Sequence, residues 1–448
     1  MLDPVSASDT LTALIDQARR AGADAADAVY VGDRSTSVGV RMGALEDVSR
    51  AEGQEIGLRL FVGQQSAAVA SSDLSRDSLS ALVERAVAMA REAPEDRYAG
   101  LAPHDLLTTG APADLDLDDG GDPDPAALRQ RAAAAEDAAR SVAGITNSNG
   151  GGASATASTF ALATSHGFVG ATRATGYSCS ASVVAWQGSD MQRDYGWHSA
   201  RHLADLESPE ENGRRAGERA AARLNPVRVK AGPMAILFDP RVATTLLGHF
   251  VGAISGSAIT RQSSFLLDAL GTQVFAKGVT IHDDPSRRRG LRSRAFDGEG
   301  LPVAASDLVS EGVLTTWLAD SAAARQLGIA PTGHAVRGVS GAPGAGPSNL
   351  VLQPGPRSRE AMIAGTANGI LVTELIGQGV NGVTGDYSRG AAGFLIVNGE
   401  IGPAVSEITI ASNLKTMFAE LEPASDLHLR RGIDSPTLLV PQMMVASA

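Results

Sequence analysis

Apolar positions recur at helical spacing near the start of the chain, where Leu11, Leu14, Ile15 and Ala18 form one stripe. Asp9 is the expected N-cap of that helix and Gly22 its end. Three strand-like pieces follow: AVYV at 28–31, SVGV at 37–40 and IGLRLFV at 56–62, where Ile56, Leu58, Leu60 and Val62 alternate with other residues. A second stripe, Leu79, Leu82, Val83, Ala86 and Met89/Ala90, returns to the helical period. Residues 1–100 thus read as an N-terminal α+β module, with helices laid on one face of its strands.

The pattern breaks over 101–125, where DLDLDDGGDPDPAA is dense in Pro, Gly and Asp and reads as a solvated linker. Pro125 opens an Ala-rich helix to about Ser141, and Ile145 to Trp197 is a Ser/Thr/Gly/Val run of antiparallel strands. SPEE at 208–211 is a capping box with Pro in the first turn, opening a helix to about Arg223. These elements make a central segment, 126–228. A third segment, 229–448, begins with the short strand AILFD, an apolar helix over 240–254 and strands such as GVTIHDD. A helix near 318–326 and the Gly-rich stretch 377–401 complete it, the latter expected as a meander of strands and tight turns. The fold class expected is α+β, with a mostly antiparallel C-terminal part.

Composition narrows the function classes. The 448 residues have 43% hydrophobic content and a net charge of −12, with Arg287, Arg288 and Arg289 the one basic run, so nucleic acid is not an expected partner. The single cysteine, Cys179, excludes an internal disulfide and fits a reducing compartment. MLDPVSASD has no signal-peptide character, and no apolar run reaches the roughly 18–20 residues of a membrane span. The expected location is the cytoplasm.

Residue chemistry alone identifies no catalytic set. His198 and His202 have the spacing at which two imidazoles meet on a helix, but Ser199 stands where a zinc protease has its base, and the surroundings read as a strand end. His282-Asp283-Asp284-Pro285 reads as a strand running into a turn. Ser263, Ser264 and the acidic pair Asp297/Glu299 have no histidine placed to complete a triad. GAPGAGP at 341–347 lacks the Lys-Ser/Thr of a P-loop, and Cys179 reads as an inert core thiol. In LLGHFVGAISG, 246–256, the lone His249 has Thr245 and Ala253 as its same-face neighbours, and neither is a zinc ligand.

A set of longer strings carries more information. LLGHFVGAISG, SSFLLDALG, FDGEGLPV, LTTWLADSAAARQLG, PTGHA, LVTELIGQGVNGVTGDYSRGAAGF, VNGEI, PVSEITIASNL and PTLLVPQMMV together resemble the PmbA/TldE branch of the TldD/PmbA family. GLRLFVG and SSDLS extend the resemblance over nearly the whole chain. Members of the TldD branch are zinc metallopeptidases with HExxxH on the helix corresponding to 246–256. Laid on this chain, the first zinc histidine falls on Gly248, the glutamate on His249 and the second histidine on Ala253. A further cysteine ligand near the C-terminus has no counterpart.

The resemblance therefore implies a non-catalytic, zinc-less subunit of a TldD/TldE-type peptidase complex, with zinc in a TldD-like partner and peptides or unfolded segments as substrate. It carries no catalytic or metal residue of its own in that reading. Glu374, Asp386, Tyr387 and Arg389, in the Gly-rich segment, are expected substrate or interface contacts, because glycines let another backbone approach. A homodimeric peptide-binding protein and a stand-alone hydrolase around His249 and His282 remain the alternatives, and the free chain is compatible with a homodimer.

Overall fold

The structure is a computed structural model that describes residues 1–447. Its first half is built on one six-stranded antiparallel sheet, in the order β3-β2-β1-β4-β5-β6. The strands are β1 (Ala25–Arg41), β2 (Ala44–Val62), β3 (Gln65–Ser71), β4 (Ile145–Thr164), β5 (Val169–Gln187) and β6 (Asp190–Ala200). Segments 1–100 and 126–228, distinct along the sequence, are thus joined edge to edge through the β1–β4 pairing.

One face of this sheet carries two helix pairs. Helices α1 (Pro4–Arg20) and α2 (Arg76–Glu92) cover Ala26, Ala28 and Tyr30 of β1 and Leu58 and Leu60 of β2. Helices α3 (Pro125–Arg140) and α4 (Pro209–Ala222) cover Val38 and Val40 of the same strand, with Cys179 and Ala181 of β5. Many of the residues in this second contact are alanines, so helices and sheet approach closely, which fits a chain with only 4% aromatic residues.

Three expectations are corrected here. Helix α1 is capped by Asp3, whose carboxylate accepts from the Val5 and Ser6 amides, with Pro4 in the first turn. Asp9 lies inside it; the Ser8, Thr10 and Thr12 hydroxyls bond back to carbonyls four residues earlier, so a Ser/Thr-rich start is helical after all. The pieces 28–31 and 37–40 are one strand, β1, that passes from the first helix pair to the second. The Asp-rich 101–125 is also not free in solvent. Leu101, Ala102 and Leu115 are buried, and Asp119 accepts from the Tyr177 hydroxyl at 2.5 Å while Asp116 pairs with Arg289 at 2.7 Å.

The other face of the sheet docks on the second half of the chain. Val29, Leu162 and Phe168 meet Phe296 there. Asp27 is buried between two guanidiniums, Arg59 from β2 and Arg337 from the far half, at 2.7 Å and 3.0 Å. A Cβ on Gly57 would lie 2.0 Å from the Val339 carbonyl oxygen, so only glycine admits that strand crossing.

The second half contains β7 (Gly232–Phe238), α5 (Pro240–Ala253), α6 (Gly256–Thr260), β8 (Ile281–Asp284), β9 (Ser306–Ser310), β10 (Val313–Leu314) and α7 (Ser321–Leu327). After these come β11 (Ala335–Val336), β12 (Gly344–Ala345), β13 (Asn349–Leu352), α8 (Arg359–Ala364), β14 (Asn368–Ile376), β15 (Asp386–Val397) and β16 (Glu400–Asn413). The last elements are α9 (Leu414–Glu420), β17 (Glu422–Pro423), β18 (Ile433–Asp434) and β19 (Leu438–Ser447). A six-stranded sheet runs β16-β15-β14-β7-β19-β17 and closes on itself, because β16 also pairs with β19 over Ile408–Ala411 and Met444–Ser447. The β14–β7 pair is parallel; the other neighbours are antiparallel. One face, with Phe238, Val372 and Ile410, packs on Leu246, Leu247 and Phe250 of α5, while Leu237, Leu371 and Leu439 face Met362 and Ile363 of α8. A second, five-stranded sheet runs β10-β9-β8-β13-β18. Among the described residues no helix is long and apolar enough to cross a membrane.

Candidate functional site

Helix α5 begins at the Asp239 cap that ends β7, and its buried stripe holds it on the closed sheet. Its remaining face carries positions 248 and 249. Gly248 is exposed, and a Cβ there would touch nothing within 4 Å. Ala253 is buried in the core and projects only a methyl group. His249, between them, is half-buried and meets Tyr387 of β15 edge to face, with centroids 6.1 Å apart and planes at 81°. Its Nε2 is buried without a partner, as is the Tyr387 hydroxyl. Burial pushes the His249 pKa down, and the positive charge of Arg389 pushes it further the same way. These positions do not make a donor set for a zinc ion: one imidazole is present, a second donor is not, and the nearest charge is a cation.

Arg389 is two residues beyond Tyr387 on β15. Its side chain is largely buried, its Nε lacks a partner, and it lines a cavity of about 370 Å³ between the two halves of the molecule. The opposite walls hold two charge pairs. Arg241, in the first turn of α5, donates to Asp194 of β6 at 2.8 Å, and Arg223 pairs with Glu374 of β14. Thr245 and Thr373, with Ser182 and Arg193, add to the polar lining. Burial tends to lower the Arg241 pKa, yet Asp194 and Asp239 hold it above the ordinary arginine value.

Of the four residues singled out by sequence, Glu374 and Arg389 line this cavity. Tyr387 is buried against His249. Asp386 is exposed and accepts from Thr384 at 2.7 Å and Asn413 at 3.1 Å, tying the turn before β15 to the end of β16. Two glycines of this segment are closed off by the chain's own backbone, a Cβ on Gly379 lying 2.0 Å from the Ser388 carbonyl oxygen and one on Gly393 1.9 Å from that of Leu371, whereas Gly377 and Gly382 face open space. Asp194, Arg223, Arg241 and Thr245 went unrecognised, since they come from separate elements and no local motif links them.

The other sequence candidates stay apart. His198 Nδ1 accepts from the Glu207 amide, while His202 Nε2 lies 3.3 Å from Asp116, so the two imidazoles do not converge. His282 pairs with Asp307 at 2.7 Å; Asp283 is buried with Ser348 and His334; Asp284 accepts from Ser286 in the turn. Ser264 donates to the Ala253 carbonyl, and Ser263 to that of Ala258. Asp297 accepts from the Glu299, Leu301 and Ala335 amides, and Glu299 from that of Ser321. Cys179 is buried, which pushes its thiol up to about 11. Gly344 and Ala345, within 341–347, form the short strand β12.

Comparison with known proteins decides the family. Residues 26–90, 118–224 and 231–447 match, in order, the PmbA/TldA metallopeptidase domain 1, central domain and C-terminal domain. The chain belongs to the PmbA/TldD family. A PmbA/TldD protein of Escherichia coli O157:H7, named Metalloprotease PmbA, is 37% identical over 94% of this chain and 92% of its own. The Metalloprotease PmbA homolog of Haemophilus influenzae is 35% identical over 96% and 94%. Among solved structures, a Bacteroides thetaiotaomicron protein described as a candidate modulator of DNA gyrase superposes with a TM-score of 0.90 at 27% identity, covering 98% of each chain. TldE from Thermococcus kodakarensis shares the fold, with a TM-score of 0.87 at 20% identity over 98% of this chain and all of that one. The PmbA/TldD fold, with its mixed helices and antiparallel sheets, is thus that expected from sequence.

Proposed function

We propose that this chain is the non-catalytic, zinc-less subunit of a TldD/TldE-type metallopeptidase complex, acting on peptides or unfolded segments in the cytoplasm. One observation carries the reading: on α5, Gly248 and Ala253 offer no side-chain donor, and His249 is turned against Tyr387 beside the Arg389 charge. A divalent cation held there would meet one neutral imidazole and electrostatic repulsion. Hydrolysis then belongs to a TldD-like partner that carries zinc, while this chain supplies the wall on which a substrate lies. Arg389 and the Arg223–Glu374 pair have the donors and acceptors to hold an extended peptide backbone in the cavity.

The test is reconstitution. The chain is mixed with a TldD-like subunit and an unstructured peptide, with each protein alone as control, and the metal content of the purified chain is measured. Cleavage only in the mixture, with no stoichiometric zinc in this chain, is the expected result. Chelator-sensitive cleavage by this chain alone would refute the assignment.

A further inference from the structure

A second cavity, of about 240 Å³, lies on the other side of Arg241 and Tyr195 from the first. Its wall is rich in guanidinium groups drawn from distant segments: Arg219 of α4, Arg241 of α5, Arg359 of α8, and Arg430 and Arg431 ahead of β18. Most of them are neutralised. Arg241 pairs with Asp194 and Asp239 at 2.8 and 3.5 Å, Arg359 with Asp239 at 3.3 Å, and Arg430 shares Glu207 with Arg215. The Asp434 carboxylate in the wall accepts from the backbone amides of Arg430 and Arg431, at 3.1 and 2.9 Å. Asp426 is taken by Thr437 at 2.7 Å.

Arg219 and Arg431 are left over. Among the described residues neither has a carboxylate within ion-pair distance of its guanidinium. In a chain of net charge −12, two cations in one recess with carboxylates nearby but none in direct contact stand out. Burial, reinforced by Arg241 and only partly offset by the more distant Asp239 and Asp194, pushes the Arg219 pKa down to about 10, so this recess is partly dry. A dry, unpaired guanidinium is costly, and an oxyanion is the ligand that relieves it.

The bearer of that oxyanion is indicated by the strand beside it. β6 ends the sheet order, and Tyr195 and Trp197, two residues apart on it, are both exposed at the rim of the recess. An edge strand with alternate aromatic side chains accepts an extended peptide by strand addition, and every second side chain of that peptide then points the same way. We propose that this recess binds the side-chain carboxylates of an acidic peptide segment lying along β6, with Arg219 and Arg431 as the binding residues. This rests on the peptide-handling reading above and names the substrate class it favours.

The test is calorimetric titration of the isolated chain with a capped, alternating Thr-Glu peptide, its Thr-Gln counterpart, and pyrophosphate. The expected result is binding of the Glu peptide that weakens with added salt, falls about tenfold or more for the Gln peptide, and falls equally in Arg219→Gln/Arg431→Gln. Arg431→Gln alone, outside any helix, serves as the second variant should the double one fold poorly, and is expected to weaken binding too. Equal binding of both peptides, unchanged affinity in a folded double variant, or binding of pyrophosphate without the peptide would overturn the assignment. Because the titration uses neither partner nor hydrolysis, its failure leaves cleavage of neutral peptides by the mixture untouched. Conversely, an inactive mixture leaves the titration as it was.

Discussion

His249 meets Tyr387 edge to face, with ring centroids 6.1 Å apart, and each side chain keeps a buried polar atom without a partner. Helix α5 is thereby fastened to β15 by aromatic packing at the position where the family resemblance would put a catalytic glutamate.

His249→Phe keeps the ring contact and removes the unsatisfied Nε2. The variant is expected to be as stable as the parent or more so, by about 1 kcal/mol. It also alters the acid response. The folded-state imidazole pKa lies below its ordinary value of 6.5, so the unfolded chain binds the proton more readily and His249 costs stability as pH falls through that value. Denaturant melts between neutral and mildly acid pH should show a shallower loss for the variant; an identical slope would remove His249 as the cause.

Asp27 ties the two halves of the molecule together through Arg59 and Arg337. Asp27→Asn leaves two buried guanidiniums without their directly bonded counter-charge and is expected to cost about 3–5 kcal/mol. Chemical denaturation measures this directly. A loss under about 1 kcal/mol would show that the guanidiniums find water or another acceptor.

Glu299 is buried near Asp297, and burial holds its carboxyl up at about 7 against an ordinary 4.5. The folded state therefore binds the proton more tightly than the unfolded chain does. Its contribution is full below pH 4.5 and is lost as pH rises through 7, about 3 kcal/mol in all. Glu299→Gln, whose amide oxygen still accepts from the Ser321 amide, should flatten stability across that window and melt higher at pH 8. A pH profile parallel to the parent's would count against this.

Gly57→Ala would place a methyl group on the Val339 carbonyl oxygen. Because the obstacle is backbone from the other half of the chain, relief requires the interface to shift, at a cost of about 1–3 kcal/mol. The melting temperature should fall with the secondary structure retained. An unchanged melt would mean that the 334–341 segment adjusts freely.

Strong local signals carried through to the structure. Pro125 does begin α3, Ser208 does cap α4, and the apolar stripe of 240–254 is the core face of α5. The reading failed where long-range packing outweighs local pattern. The pieces 28–31 and 37–40 stand apart in the sequence, yet Gly32, Asp33 and Arg34 between them lie where one strand, β1, passes from one helix pair to the next. The cavity was legible only in part. Glu374 and Arg389 come from one conspicuous segment, but Asp194, Arg223 and Arg241 meet them only through the docking of the two halves, and no spacing rule encodes that.

The closed ladder of the second half sets an order of assembly. Strand β7 lies between β14 and β19, and β19 also seals the ladder against β16, so the first strand of that sheet waits about 130 residues for β14 and about 200 for β19. A ribosome therefore releases the β1–β6 sheet with its helices well before the second half can form. Until residues 438–447 emerge, Leu237 and Phe238 have no β19 beside them, and that edge of apolar strand stays unpaired.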